Sequence, residues 1–434
     1  MSGKASRMRR VLLADEAVAD PLDAIELAPG EPAFYWRSDE RDIEIAGLGA
    51  VATIESSGAD RFHAASVALE TLRNGMDVDV DAAFPLAVGG FAFGDDAPSS
   101  PWEGFPALRF FVPRVLWMRR GGVRRMIVTS PAGRDQTPYC LLAATPVSPG
   151  RTAGLSAAGV DDGAAWRRRV DTAVEAIRAG SIEKIVLARR RTVRAASPPA
   201  VAPLLRALAE SRPSCFTFLL RWSGRTFVGS SPERLLRLSG TDVLADALAG
   251  TAPRGLSKSH DEALARELTS SAKERREHRI VVDAIRDALA PLALDLDAPA
   301  DPALVRLPEA HHLHTPVHAR LAPSPSLGLF DVAARLHPTP AVCGAPREEA
   351  CRQLASEEPD RGWYGGAVGW VSAGGDGELA VALRAALLDD RCAHVWAGAG
   401  IVEGSSPERE FDETERKMGS ILPYFERGDD ECAA

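Results

Sequence analysis

Residues 215–238 read CFTFLLRWSGRTFVGSSPERLLRL, and the fold class turns on them. The run CFTFLLRW is short, apolar and aromatic-rich, which suits a pleated and largely buried strand. Ser223–Gly224 is a turn pair, and RTFVGSSPERLLRL resumes the strand-like pattern beyond it. The stretch predicts a hairpin feeding a third strand, with Ser230–Ser231–Pro232 as a second turn. Strands joined this tightly run antiparallel, because a parallel crossover needs a dozen or more residues.

The same reading extends in both directions. Upstream, Lys184 to Arg189 (KIVLAR) is β-like. A helix is predicted to begin near Asp161–Asp162, whose acids suit a helix N-terminus. Its apolar face is Trp166, Val170, Ala173, Val174 and Ile177, and Gly180 fits a C-terminal cap. Residues 1–163 carry short apolar runs broken by Gly and Pro, such as ALRFFVPRVLWMRR and GGVRRMIVTS, and predict a sheet with hairpins. Downstream, a long helix is predicted from about Asp261 to Leu289, with a buried stripe of Leu264, Leu268, Ile280, Val281, Ala284, Ile285 and Leu289. Leu292 to Pro302 reads as a loop. The chain closes with a Gly-rich turn, AGAGIVEG, and a helix from roughly Glu408 to Leu422. Strands and helices mix without a regular βαβα rhythm, so the expected class is α+β with large, mainly antiparallel sheets.

The chain has 434 residues, a formal net charge of −9 and 45% hydrophobic residues, an ordinary globular composition. The acidic balance argues against a nucleic-acid surface. Arg167–Arg169 and Arg189–Arg191 are short basic runs of the kind found on solvated faces. No apolar run is long enough to span a membrane, and the N-terminus makes a poor signal peptide. The six cysteines are Cys140, Cys215, Cys343, Cys351, Cys392 and Cys432. They form no CxxC pair and do not read as a disulfide framework, so a reducing cytoplasm is the expected setting.

Two glutamate pairs interrupt otherwise amphipathic stretches: Glu274 and Glu277 in SAKERREHRIVVDAI, and Glu410 and Glu413 in SSPEREFDETERKMGSIL. The i, i+3 spacing puts each pair on one helical face. Taken alone, such a pair reads as solvated surface. Four carboxylates converging from two helices would instead suit a hard divalent cation such as Mg²⁺, which shares its shell with water and an anionic substrate.

Nine segments then occur in a telling order: KIVLARR, GSSPERLLR, ALAGTAPRG, KERREHRIVVDAI, HHLHTPV, LHPTPAVCGAP, RGWYGGAVGW, GELAVALR and AGAGIVEGSSPEREFDET. Together they resemble the chorismate-utilising enzymes, over roughly Trp166 to Leu422. That family includes isochorismate synthases, salicylate synthases, anthranilate synthase large subunits and aminodeoxychorismate synthases. PAFYWRSDERDIEIAGLGAV and AVGGFAFGD resemble the N-terminal part of isochorismate synthases more loosely. The resemblance implies one domain over residues 1–434, with a sheet-rich part at 1–163 and a motif-bearing part at 164–425. It implies two mainly antiparallel sheets flanked by helices, like the anthranilate synthase large subunit, with the active site between the sheets.

The resemblance also implies roles. In the isochorismate synthases, water adds at C2 of chorismate as the C4 hydroxyl leaves. Lys184 matches the general base and Glu233 the general acid, a role that a buried carboxyl with a raised pKa suits. Glu277 and Glu413 match direct Mg²⁺ ligands, and Glu274 and Glu410 match partners acting through water. Gly250 and Thr251 would bring backbone N–H groups to the ring carboxylate. Arg384 and Tyr364 match residues binding the enolpyruvyl carboxylate, where a planar guanidinium can bind twice. Gly398 and Gly400 would add backbone donors, His312 would lie near the ring, and Thr339 falls in a segment that touches substrate. His337 reads as structural, and His311, His314 and His318 lack cysteine partners at zinc spacing.

The expected activity is Mg²⁺-dependent isochorismate synthesis from chorismate, whose product feeds menaquinone, catechol siderophores or salicylate. The alternative is a salicylate synthase, which goes on to eliminate pyruvate. Anthranilate and aminodeoxychorismate synthases carry glutamine where Lys184 stands, so lysine points to water as nucleophile and no glutaminase partner is expected. Ala249 stands where aminodeoxychorismate synthases tend to carry a nucleophilic lysine. A non-catalytic scaffold would have lost the acid or the base, and both residue types are present.

Overall fold

The computed structural model of the chain describes residues 8–13, 20–78, 84–131, 156–157, 163–194, 199–324, 327–358, 361–389 and 392–426. Phe216–Trp222 and Arg225–Ser231 form the expected antiparallel hairpin, with Phe218 opposite Gly229. Both turn residues are left-handed, Ser223 at φ +50° and Gly224 at +76°. That is the turn whose twist matches the flanking strands.

The third strand, Arg234–Ser239, does not continue beside that hairpin. It pairs with Asp242–Pro253 on one side and Gly377–Val381 on the other. The chain therefore changes sheets between Ser231 and Arg234, across Pro232, which has no N–H to give a ladder.

The first sheet runs through neighbouring strands Lys184–Arg194, Cys392–Ile401, Ala385–Asp389, Arg225–Ser231, Phe216–Trp222, Ala33–Ser38, Ile43–Ser56 and Leu108–Arg120. The second runs from the start of Leu108–Arg120 through Pro85–Phe91, Ala367–Ser372, Gly377–Val381, Arg234–Ser239, Asp242–Pro253 and Ala310–Leu321. All these ladders are antiparallel, and the shared strand Leu108–Arg120 joins the two sheets. The only parallel pairing among the described residues is Met8–Leu13 with Met76–Val78.

Strand alternation builds the core. Phe34, Trp36, Phe216, Phe218 and Phe227 of the first sheet meet Val88, Val368, Trp370 and Ala380 of the second. The odd-numbered neighbours Ala33, Tyr35 and Leu219 face the other way, onto the helices Pro21–Leu27 and Val201–Ser211. The outer face of the second sheet is covered by Arg61–Asn74, Ala272–Leu289 and Leu329–Leu336.

Three local expectations are corrected. The single helix expected over 261–289 is two, Lys258–Ser270 and Ala272–Leu289. Ser271 leaves helical geometry (φ −65°, ψ 118°), and its hydroxyl accepts from Glu274 N–H as an N-cap. The expected loop 292–302 contains a strand, Ala293–Asp297, paired at the sheet edge with Ala310–Leu321. The last helix is Pro407–Met418, shorter than expected and capped by Ser406. The helix before Gly180 runs Gly163–Arg178, and Asp161–Asp162 lie outside the described residues. Gly180 (φ +77°) ends it, with Gly180 N–H bonding to Ile177 and Ser181 N–H to Ala176. No helix among the described residues is long and apolar enough to cross a membrane.

Candidate active site

A cleft of about 620 Å³ opens where the two sheets meet the helices Ala272–Leu289 and Pro407–Met418. Lys184, the first residue of its strand, enters from one wall. Its side chain is 1% exposed, and Nζ lies 2.9 Å from Oε1 of Glu277. The neighbouring strand passes close by with Gly400, opposite Val186. A Cβ at Gly400 would sit 2.4 Å from Glu277 Oε1 and 3.2 Å from Lys184 Cε. A side chain at this position would therefore push Glu277 away from Lys184.

Glu233 enters from the sheet-crossing at Pro232 and is 2% exposed. Burial, reinforced by Asp246, pushes its pKa up to about 8, against the pull of Lys184, Arg384 and Lys417. It is therefore protonated near neutral pH. Burial would raise Asp246 as well, but His314 at 3.0 Å and Arg234 at 3.2 Å hold its carboxyl below the usual range.

His312 and Thr251 face each other across paired strands, with the Thr251 hydroxyl 3.1 Å from His312 Nδ1. Arg384 Nη2 approaches Nε2 of His312 at 3.4 Å. A guanidinium only donates, so Nε2 accepts and Nδ1 carries the ring proton. Burial, then Arg384 and Lys417, lower the His312 pKa well below its ordinary value, so the ring is neutral. Arg384 itself is left-handed (φ +48°), uncommon for a residue with a side chain, and is anchored through Nε to Glu309 at 3.2 Å. Tyr364 is buried in the same wall, with its phenol pushed up to about 12 by burial. Gly250 is left-handed (φ +77°) at a break in register, and Thr251 N–H donates to Glu274 Oε2 at 3.0 Å.

Glu277 and Glu413 line the cleft; Glu274 and Glu410 do not. Glu413 bonds Lys417 at 2.6 Å, which holds its carboxyl below the usual range despite burial. Burial and then Glu413 raise Glu410 to about 7, and burial and then Glu277 raise Glu274. Lys273 reaches toward both, 3.9 Å from Glu274 and 3.8 Å from Glu410. Among the described residues, no three carboxylates, histidines or cysteines converge at coordinating distance. Glu277 and Glu413 are each engaged by a lysine instead.

Thr339 is buried but not in the cleft wall; Ala341 and Val342, just beyond it, are. His337 packs among Phe62, Phe91 and Phe93 and bonds the Phe93 carbonyl at 3.0 Å. His311 and His314 are tied to different carboxylates, Asp261 and Asp246. Two lining cations were absent from the sequence reading. Lys417 stands four residues after Glu413, a spacing that normally signals a surface pair. Its Nζ also donates to the Gly398 carbonyl at 2.8 Å. Arg361, in RGWYGG, donates to the carbonyls of Val342 at 2.8 Å and Val186 at 3.0 Å, stitching two walls together.

Residues 6–426 match the family model described as chorismate binding enzyme. The chain belongs to the chorismate-binding enzymes. Among the family members it resembles, isochorismate synthase MenF of Bacillus subtilis is 31% identical over 410 residues, covering 90% of this chain and 87% of that protein. The salicylate biosynthesis isochorismate synthase of Pseudomonas aeruginosa is 33% identical over 433 residues, covering 95% and 90%. The structure of MenF, the menaquinone-specific isochorismate synthase from Escherichia coli, superposes with a TM-score of 0.81 at 27% identity, covering 96% of this chain and 94% of that one.

Proposed function

We propose that this chorismate-binding enzyme is an isochorismate synthase, adding water at C2 of chorismate as the C4 hydroxyl leaves. The observation that carries the reading is the pairing, in one cleft, of a buried lysine with a buried carboxyl that holds its proton at neutral pH. Full-length similarity to proteins named for that activity supports it.

Lys184 takes the proton from the attacking water. Glu233 donates its own proton to the departing hydroxyl. Arg384 and Tyr364 hold the enolpyruvyl carboxylate, and the neutral His312 stands against the ring with its Nδ1 proton held by Thr251. Water is the nucleophile, so no ammonia-delivering subunit is needed. Four described cysteines are free thiols, which fits work in a reducing cytoplasm.

The all-oxygen set Glu274, Glu277, Glu410 and Glu413 fits Mg²⁺. Burial and then the neighbouring carboxylates raise the pKa of Glu274 and Glu410, while Glu277 and Glu413 each pair with a lysine, so the cluster carries negative charge that a hard cation would offset. Bound Mg²⁺ would neutralise and orient the ring carboxylate.

Purified protein with chorismate and Mg²⁺, its products separated by chromatography, tests the reading. Isochorismate free of early salicylate and pyruvate is expected, with loss of turnover in excess EDTA. Salicylate with equimolar pyruvate, or anthranilate when ammonia is supplied, would overturn it; activity in EDTA would remove the metal.

A further inference from the structure

The segment that follows the cleft-lining Val342 holds a pair of thiols that the reaction does not use. Cys343 is fully buried; Cys351, on the helix Arg347–Glu357, is partly exposed. Their sulfurs lie 3.1 Å apart and are not bonded. A disulfide needs about 2.05 Å between sulfurs, so closing the gap takes a shift of about 1 Å.

The backbone that carries Cys343 is tied directly to the strand of the proposed base. The Cys343 carbonyl accepts from Val186 N–H at 2.7 Å, and Gly344–Ala345 pairs with Ile185 and Lys184. There is no slack between these elements. A Cβ at Gly344 would lie 2.3 Å from the Lys184 carbonyl and 2.7 Å from Ala350 Cβ. Ala350 and Leu354 of the thiol-bearing helix share one apolar cluster with Ile185 and Leu187.

We propose that Cys343 and Cys351 form an intramolecular disulfide when the enzyme meets a hydroperoxide, and that this crosslink displaces the Lys184 strand and lowers turnover. Cys351 attacks first: its S–O bond forms, the peroxide O–O bond breaks, and hydroxide leaves. Cys343 then gives up its proton and attacks the sulfenic sulfur; S–S forms, S–O breaks, and water leaves. The two thiols are oxidised to the disulfide, and the hydroperoxide is reduced. Cys351 suits the first step because it is the more accessible thiol. The hydrogen bond from Cys343, with Arg347 and Arg361 nearby, also favours its thiolate.

The test treats the full-length protein with hydrogen peroxide, alkylates free thiols and maps peptides by mass. A peptide pair joined through Cys343 and Cys351 is expected. Chorismate turnover should fall on the order of 10- to 100-fold, as a displacement of about 1 Å near a catalytic group allows. Dithiothreitol should restore it. Cys351→Ser and Cys351→Ala should keep basal turnover and resist peroxide. Absence of the crosslink overturns the proposal. Equal peroxide inactivation in both variants, or a crosslink with turnover unchanged, overturns the coupling to the site. The activity readout rests on the proposed reaction, whereas the mass readout does not. A reduced enzyme inert toward chorismate would therefore fail that reaction and leave the crosslink to be read independently.

Discussion

In the proposed reaction Lys184 and Glu233 carry opposite proton tasks within one enclosure, and each task is separately testable. Lys184→Ala and Glu233→Gln are each expected to lower kcat by about 10²- to 10⁴-fold while chorismate still binds, seen by calorimetry beside steady-state kinetics. Near-wild-type kcat in either variant would remove that role. Glu233 also links stability to pH. Its folded pKa, about 8, lies above the ordinary value of 4.5, so the fold favours the protonated form. That contribution is complete below the unfolded pKa and is lost as pH rises through the folded one. Glu233→Gln lacks the dependence, so its melting temperature should gain on the wild type between pH 5 and pH 8. A constant difference across that range would refute the raised pKa. Gly400→Ala puts a methyl against Glu277 Oε1. The obstacle is the end of a flexible side chain, so the variant should fold with an unchanged circular dichroism spectrum. It should lose about tenfold or more in kcat/KM through the misplaced Lys184–Glu277 pair; unchanged kinetics would show that the approach is not critical.

At the scale of elements, the break at Ser271 matters more than the helices it separates. It resets the helical phase three residues before Glu274, and the cap bond from Glu274 N–H fixes where that helix starts. Ser271→Ala is expected to cost about 1 kcal/mol of stability, read as a shift in denaturant midpoint; no shift would mean solvent caps the helix equally well. The crossing at Ser231–Arg234 is the other decisive element. Arg234, anchored to Glu378 at 2.9 Å and to Asp246, pins the start of the second-sheet strand. Glu233 is held between the sheets as a consequence. Local sequence predicted the strands on either side correctly, because alternation and turn chemistry are local. It could not say that the third strand leaves for another sheet, because its partners at Asp242–Pro253 and Gly377–Val381 are chosen by packing.

Across the whole molecule, the N-terminal third supplies strands to the same sheets that build the cleft. Ala33–Ser38 lies between Ile43–Ser56 and Phe216–Trp222, and Pro85–Phe91 pairs with Ala367–Ser372. Residues 163–426 expressed alone would expose those ladders and the Phe216, Phe218 and Trp370 side of the core. That fragment should show no cooperative thermal transition; a sharp, reversible melt would mean that the catalytic part folds as a unit.

The sequence by itself determined the antiparallel hairpins, the amphipathic helix faces and the family, since each is written in spacing and in ordered motifs. Tertiary structure decided which charges meet. Lys184 finds Glu277, Lys417 finds both Glu413 and the Gly398 carbonyl, and burial together with Asp246 lifts the pKa of Glu233. The strength of such pairings depends on burial and on distance across elements far apart in sequence. Neither quantity exists until the two sheets have closed on one another.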